Sequence, residues 1–153
     1  MAQAIASPKS LYESDFLLWT RETVASLRSR DFEHLDLENL IEEIECLGRS
    51  EKKELKSRLR VLLAHLLKRM YVDMPECFDG WENTIATQRT DIEFTLADSP
   101  SLKAIWEEAF ELAWRFALID VRREYSKKGF TFPDTWQFSR DIDAMLNVDF
   151  WEL

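Results

Sequence analysis

Glycine and proline are scarce, with 3 and 4 among 153 residues. Both residues punctuate turns, so their scarcity excludes a sandwich or barrel of many short strands and favours long helices. Cysteine is nearly absent too. Cys46 and Cys77 stand 31 positions apart without a paired-cysteine metal spacing, which speaks against a zinc ribbon or a disulfide framework and fits a reducing cytoplasm. Histidine is limited to His34 and His65, so one chain cannot build a three-histidine metal site. Apolar runs such as Val61-Leu62-Leu63-Ala64 fall far short of the ~18 residues of a membrane span. No N-terminal leader with a positive start and an apolar stretch is visible, so the setting expected is cytoplasmic. No Gly-x-Ser-x-Gly elbow or glycine-rich phosphate loop occurs, and neither cysteine lies in a nucleophile motif.

What the chain does contain is apolar and charged. Hydrophobic residues make up 46% and charged residues 32%, a balance that supports one folded domain of ordinary size. Twenty Lys and Arg against 29 Asp and Glu give a net charge of −9, which opposes binding to a polyanion; nucleic acid is not the expected partner. Six tryptophans are many for this length.

Periodicity points to an all-α fold: one compact bundle of about five principal helices and a short C-terminal helix, spanning residues 11–153 behind an N-terminal tail of residues 1–10. Ser10 or Asp15 starts the first helix, which carries Phe16, Trp19, Thr23 and Leu27 on one face. Asp36 caps a second, with Leu37, Leu40, Ile41, Ile44 and Leu47 as its stripe and Gly48 as its stop. Ser50 caps a third, with Leu55, Leu59, Leu62, Leu66 and Met70 facing inward, ending before Pro75. The short connection predicts an antiparallel hairpin of 36–47 against 51–73. A fourth helix runs from Trp81 to Asp98, Ser99-Pro100 starts a fifth that continues to about Tyr125, and Ser139 starts the last.

Charge is segregated along the expected hairpin. Residues 31–48 hold seven acids and no Lys or Arg, while 49–69 hold eight bases and two acids. Glu38, Glu42 and Glu45 share one flank of the second helix; Arg58, His65 and Arg69 share a flank of the third. The plain expectation is that these groups pair across the hairpin. The sharper one is a divalent-metal site built from Glu38, Glu42, Glu45 and His65, since carboxylates a turn apart plus an imidazole can ligate Mn, Fe or Zn. Neither histidine has the Glu-x-x-His spacing of a di-iron carboxylate bundle. A Glu-x-x-Glu and Glu-x-x-Asp pairing of the pyrophosphohydrolase kind would need Glu76-x-x-Asp79, which follows Pro75 directly and reads as loop.

Trp136, Phe138, Phe150 and Trp151 form a C-terminal aromatic set that could dock a partner or fold back over the bundle. Asp120 continues the apolar stripe of Ala109, Ala113 and Phe116 and therefore needs a partner, such as an arginine from another helix.

These residues carry a resemblance. Tyr12-x-x-Asp15-Phe16-x-x-Trp19, the run Leu35-Asp36-Leu37-Glu38-Asn39-Leu40-Ile41-Glu42-Glu43-Ile44-Glu45, Gly48-Arg49-Ser50-Glu51, and Leu62-Leu63-Ala64-His65-Leu66-Leu67-Lys68 stand in one order. Trp81, Ile85, Gln88-Arg89, Asp98-Ser99-Pro100-Ser101-Leu102 and Asp149-Phe150 continue it. In this the chain resembles the bacterial, largely cyanobacterial, family catalogued as domain of unknown function 29. The resemblance implies an all-helical fold and a bacterial cytoplasmic setting, and it supplies no activity. The function expected is a non-catalytic interaction or regulatory module, without a cofactor, whose partner is another protein or further copies of itself. The rival is a metal-binding protein or metal-dependent hydrolase using the acidic stripe and His65.

Overall fold

The computed structural model describes Ser10–Leu153. Almost all of the expected N-terminal tail lies outside the described residues. Within them the chain is all-α, with six α-helices and no strand: α1 (Leu11–Ser14), α2 (Phe16–Ser29), α3 (Leu37–Tyr71), α4 (Phe78–Asp98), α5 (Trp106–Tyr125) and α6 (Ile142–Asn147). By their contacts the residues group into two units, one up to Gly48 and one from Arg49 to Leu153, and the boundary falls inside α3.

Local chemistry explains most element ends. Ser10 caps α1 through Glu13 N, and Asp15 caps α2 through Leu18 N at 3.0 Å. Arg30 closes α2 in the left-handed region at φ 60°. α3 ends ahead of Pro75, which opens the 3₁₀ turn Pro75–Cys77, and α4 then starts at Phe78, one turn earlier than Trp81. Ser99-Pro100 starts a 3₁₀ segment, Pro100–Ile105, so α5 proper begins only at Trp106. Asp141, not Ser139, caps α6, accepting from Ala144 N at 2.7 Å.

The expected hairpin does not form. Residues 36–47 and 51–73 belong to one helix of 35 residues, and Gly48 and Ser50 lie inside it. A glycine stops a helix when it takes a left-handed conformation, and the only glycine that does so is Gly129, at φ 86°. Helix-forming residues flank Gly48 on both sides with no proline to break the ladder. Retaining a glycine costs about 1 kcal/mol, less than giving up the hydrogen bonds of a break. The consequence for packing is large: the two halves of the stripe follow one another along α3 instead of facing.

From Leu55 onward the stripe is core. Leu55, Leu59, Leu62, Leu63, Leu66 and Leu67 have no solvent exposure, and they pack in one cluster with Ile85 and Ile92 of α4, Phe110 and Val121 of α5, and Met145 of α6. Each such leucine contributes on the order of 2 kcal/mol through burial. Before Gly48 the same stripe is bare: Leu37, Ile41, Ile44 and Leu47 are 57%, 46%, 59% and 68% exposed. Ile41, which periodicity alone makes a core residue equal to Leu66, is therefore a surface residue.

The C-terminal segment closes the second unit. Arg89 of α4 donates to the carbonyls of Met145 (2.9 Å) and Val148 and to Asp149 (2.9 Å), while the indoles of Trp106 and Trp114 donate to Arg140 O and Asp134 O.

An exposed helical glycine with nothing within 4 Å of where a Cβ would stand can be replaced without a clash. Gly48→Ala is expected to raise stability by roughly 0.5–1 kcal/mol in urea denaturation, because it restrains the unfolded chain within an unbroken helix. A loss of similar size would mean that Gly48 occupies a left-handed turn.

Candidate docking surface

The motif residues of the first unit tie α1 and α2 to the start of α3. Tyr12 of α1 donates its hydroxyl to Glu43, and this carboxylate raises the phenol's pKa to about 12. The Trp19 indole donates to Asp36 at 3.3 Å, and Asp36 also accepts from Asn39 at 2.7 Å. Partner numbers fall as Tyr12 gives way to Trp19, so α1–α2 runs antiparallel to α3. Tyr12, Phe16 and Trp19 pack ring to ring, with centroids 4.9 to 5.8 Å apart. All of this serves attachment.

Little apolar surface is hidden by it. In the first unit the buried residues among those described are Trp19 and Thr23, whereas ten large apolar side chains between Phe16 and Leu47 are 40% to 68% exposed. They include Phe16, Leu17, Val24 and Leu27 on α2 and the four stripe residues on α3. One edge of the α3 stripe is occupied by Asp36 and Glu43, which hold α1–α2. The opposite edge carries Glu38, Glu42 and Glu45, all exposed. Helical spacing puts these acids side by side one turn apart along Leu37, Ile41 and Ile44.

The other singled-out residues have different surroundings. Glu38, Glu42 and Glu45 lie on the part of α3 that belongs to the first unit, and His65 lies on the part that belongs to the second. Among the described residues no three His, Cys, Asp or Glu side chains are grouped to hold a metal. Glu76 lies in the 3₁₀ turn and Asp79 in the first turn of α4. The expected pairing of Glu38, Glu42 and Glu45 with Arg58, His65 and Arg69 is also replaced. Arg58 binds Asp91 and Glu54, Arg69 binds Glu82, and His65 Nδ1 donates to Val61 O at 2.8 Å. Asp120 does find an arginine from another helix: Arg60 grips it at 2.6 and 2.7 Å and holds its carboxyl below the usual range.

Trp136, Phe138, Phe150 and Trp151 are brought together on the core of the second unit. Trp136 meets Phe150 at 5.0 Å and Phe138 at 5.4 Å, Phe150 is buried, and the other three are half-buried. Arg69 lies over Trp151 at 5.4 Å. This is the folded-back arrangement that several aromatics near a terminus favour. What periodicity missed is the open face of α2 and α3. Its signal was already present in two consecutive stripes around a glycine that is not an obligatory stop.

His65 stands half-buried in an open depression of about 480 Å³ with Arg60, Lys68, Asp120 and Glu124. Burial, which disfavours the charged ring, lowers its pKa below the ordinary 6.5. The unfolded chain therefore binds this proton more readily than the folded one. Its contribution to stability is whole above about pH 6.5 and declines as the pH falls toward the folded-state value. NMR titration is expected to show the His65 ring titrating below 6.5, and His65→Gln should flatten part of the stability loss between pH 7 and pH 5. A ring that titrates above 6.5 would contradict this placement.

No helix of the described residues is long and apolar enough to cross a membrane. No curated protein and no solved structure matches the sequence. The family model described as Domain of unknown function DUF29 matches residues 11–151, from α1 to the final 3₁₀ turn, and so covers both the open face of the first unit and the closed core of the second. By that match the chain belongs to the DUF29 family.

Proposed function

We propose that this protein is a non-catalytic interaction module that docks a helical protein partner on the apolar face of α2 and the first half of α3. The observation that carries the reading is the imbalance within the first unit: ten large apolar side chains stand in water around a buried pair, Trp19 and Thr23. The bare stripe Leu37, Ile41, Ile44 and Leu47 is an apolar face of the kind that marks an interaction surface. Polar groups suited to chemistry are spent elsewhere, on Tyr12–Glu43, Arg60–Asp120 and Arg58–Asp91. The C-terminal aromatics contribute less, since Phe150 is buried and Trp136 packs between Phe110 and Phe150. Free thiols and the bacterial character of the family resemblance support a bacterial cytoplasmic setting.

Affinity isolation from the source cells under mild conditions tests this reading. Wild type and Trp151→Ala are expected to retain a stoichiometric associate, whether another protein or a further copy, while Ile44→Glu loses it and keeps a helical circular dichroism spectrum. Loss with Trp151→Ala but not with Ile44→Glu would move the surface to the C-terminal aromatics. A bare single chain in every preparation would contradict the proposal.

A further inference from the structure

Which occupant fits the face is written in its charge. From Asp31 to Gly48 the chain carries seven carboxylates and no Lys or Arg. Three of them, Glu38, Glu42 and Glu45, stand exposed along the edge of the stripe that α1–α2 leaves open. Glu42 and Glu45 also interact within the chain and remain exposed. An apolar seam edged on one side by carboxylates matches a helix with an apolar seam edged by Lys or Arg, the geometry by which flanking charges select partners in paired helices. The bare stripe from Leu37 to Leu47 is about 16 Å long, which a partner helix of three turns covers.

Resting on the docking reading above, we infer that the α3 stripe Leu37–Leu47, with its Glu38, Glu42 and Glu45 edge, binds a cationic amphipathic helix of another protein.

A second copy is the poorer match. Two such stripes packed antiparallel would bring Glu38, Glu42 and Glu45 against their own equivalents, where like charges oppose association, and packed parallel each acidic edge would meet the edge of Asp36 and Glu43, already taken by Trp19 and Tyr12. The strongly basic helical stretch of this chain, residues 49–69, has no free seam to offer: Leu55, Leu59, Leu62 and Leu66 are fully buried. Five of its eight cations are also committed, Lys56, Arg58, Arg60, Lys68 and Arg69 being paired to acids of α4 or α5. α2 carries Arg21 and Arg28 against Glu22 and is only weakly cationic.

The test uses the full chain and two fluorescein-labelled 18-residue peptides with the same leucine seam, one with lysine and one with glutamate at every other position. Fluorescence anisotropy at low salt is expected to show at least 10-fold tighter binding of the Leu/Lys peptide than of the Leu/Glu peptide, with affinity falling as salt rises. Ile44→Glu should weaken the Leu/Lys peptide at least 10-fold, and Glu38→Lys/Glu42→Lys/Glu45→Lys should reverse the preference toward Leu/Glu. Circular dichroism shows that each variant is folded, and Phe94→Glu, at a 66% exposed position on α4, should bind like wild type. Equal binding of both peptides, or binding that ignores the Ile44 and triple-Glu changes, overturns the inference. Sedimentation velocity separates this from the docking reading. A wild-type dimer of twice 18.1 kDa that Ile44→Glu dissolves overturns the cationic-helix occupant and leaves the docking face standing. A wild-type monomer with neither peptide binding nor any Ile44-dependent associate overturns both.

Discussion

A helix of 35 residues carries an apolar stripe on either side of its polar stretch 48–54, and in this fold only the second of them has something to pack against. Everything else follows from α3 running unbroken through Gly48. Had the chain turned there, Leu37, Ile41 and Ile44 would have met Leu59, Leu62 and Leu66, and the apolar residues would have closed on one another. Because it does not turn, the leucines after Leu55 build a core with α4, α5 and α6, while those before Gly48 remain in water.

The same continuity decides the fate of the charges. A turn at Gly48 would have neutralised the acidic half of α3 with the basic half. In the unbroken helix the bases find other acids: Asp91 and Glu82 on α4, Glu108, Asp120 and Glu124 on α5. Such partly exposed pairs are each worth about 1 kcal/mol or less, so they fix which helices neighbour α3 more than they hold the fold. The acidic half keeps Glu38, Glu42 and Glu45 exposed. An apolar seam and a row of carboxylates thus occupy one exposed stretch of helix, and the proposed interaction role rests on that coincidence.

Much of the architecture was legible in the sequence because it depends on local rules. Periodicity places every helical stretch of the long helices, Ser10 and Asp15 act as caps, and Pro75 ends what precedes it. The need of Asp120 for an arginine follows from its position on an apolar stripe, and Arg60 meets it. What failed was the one decision in which local signals are permissive. A glycine followed by a serine allows a stop and a restart, yet it equally allows a helix to continue at a cost of about 1 kcal/mol, and sequence spacing does not weigh these. That single choice carried the charge-paired hairpin with it, since Arg58 and Arg69 pair instead with acids of α4. The aromatic tail was ambiguous for another reason. Tryptophan suits a docking surface and a core lid alike, and only the contacts of Trp136 with Phe110, Trp114 and Phe150 separate the two.

Hydrogen exchange followed by mass spectrometry, on the full chain with and without the Leu/Lys helix, tests the central claim most directly. The account predicts that peptides crossing Gly48 exchange as slowly as the helix on either side, and that adding the cationic helix slows exchange across residues 37–47 while residues 55–71 stay unchanged. Fast exchange confined to residues 47–51, or protection that spreads over 55–71 and leaves 37–47 untouched, would contradict it.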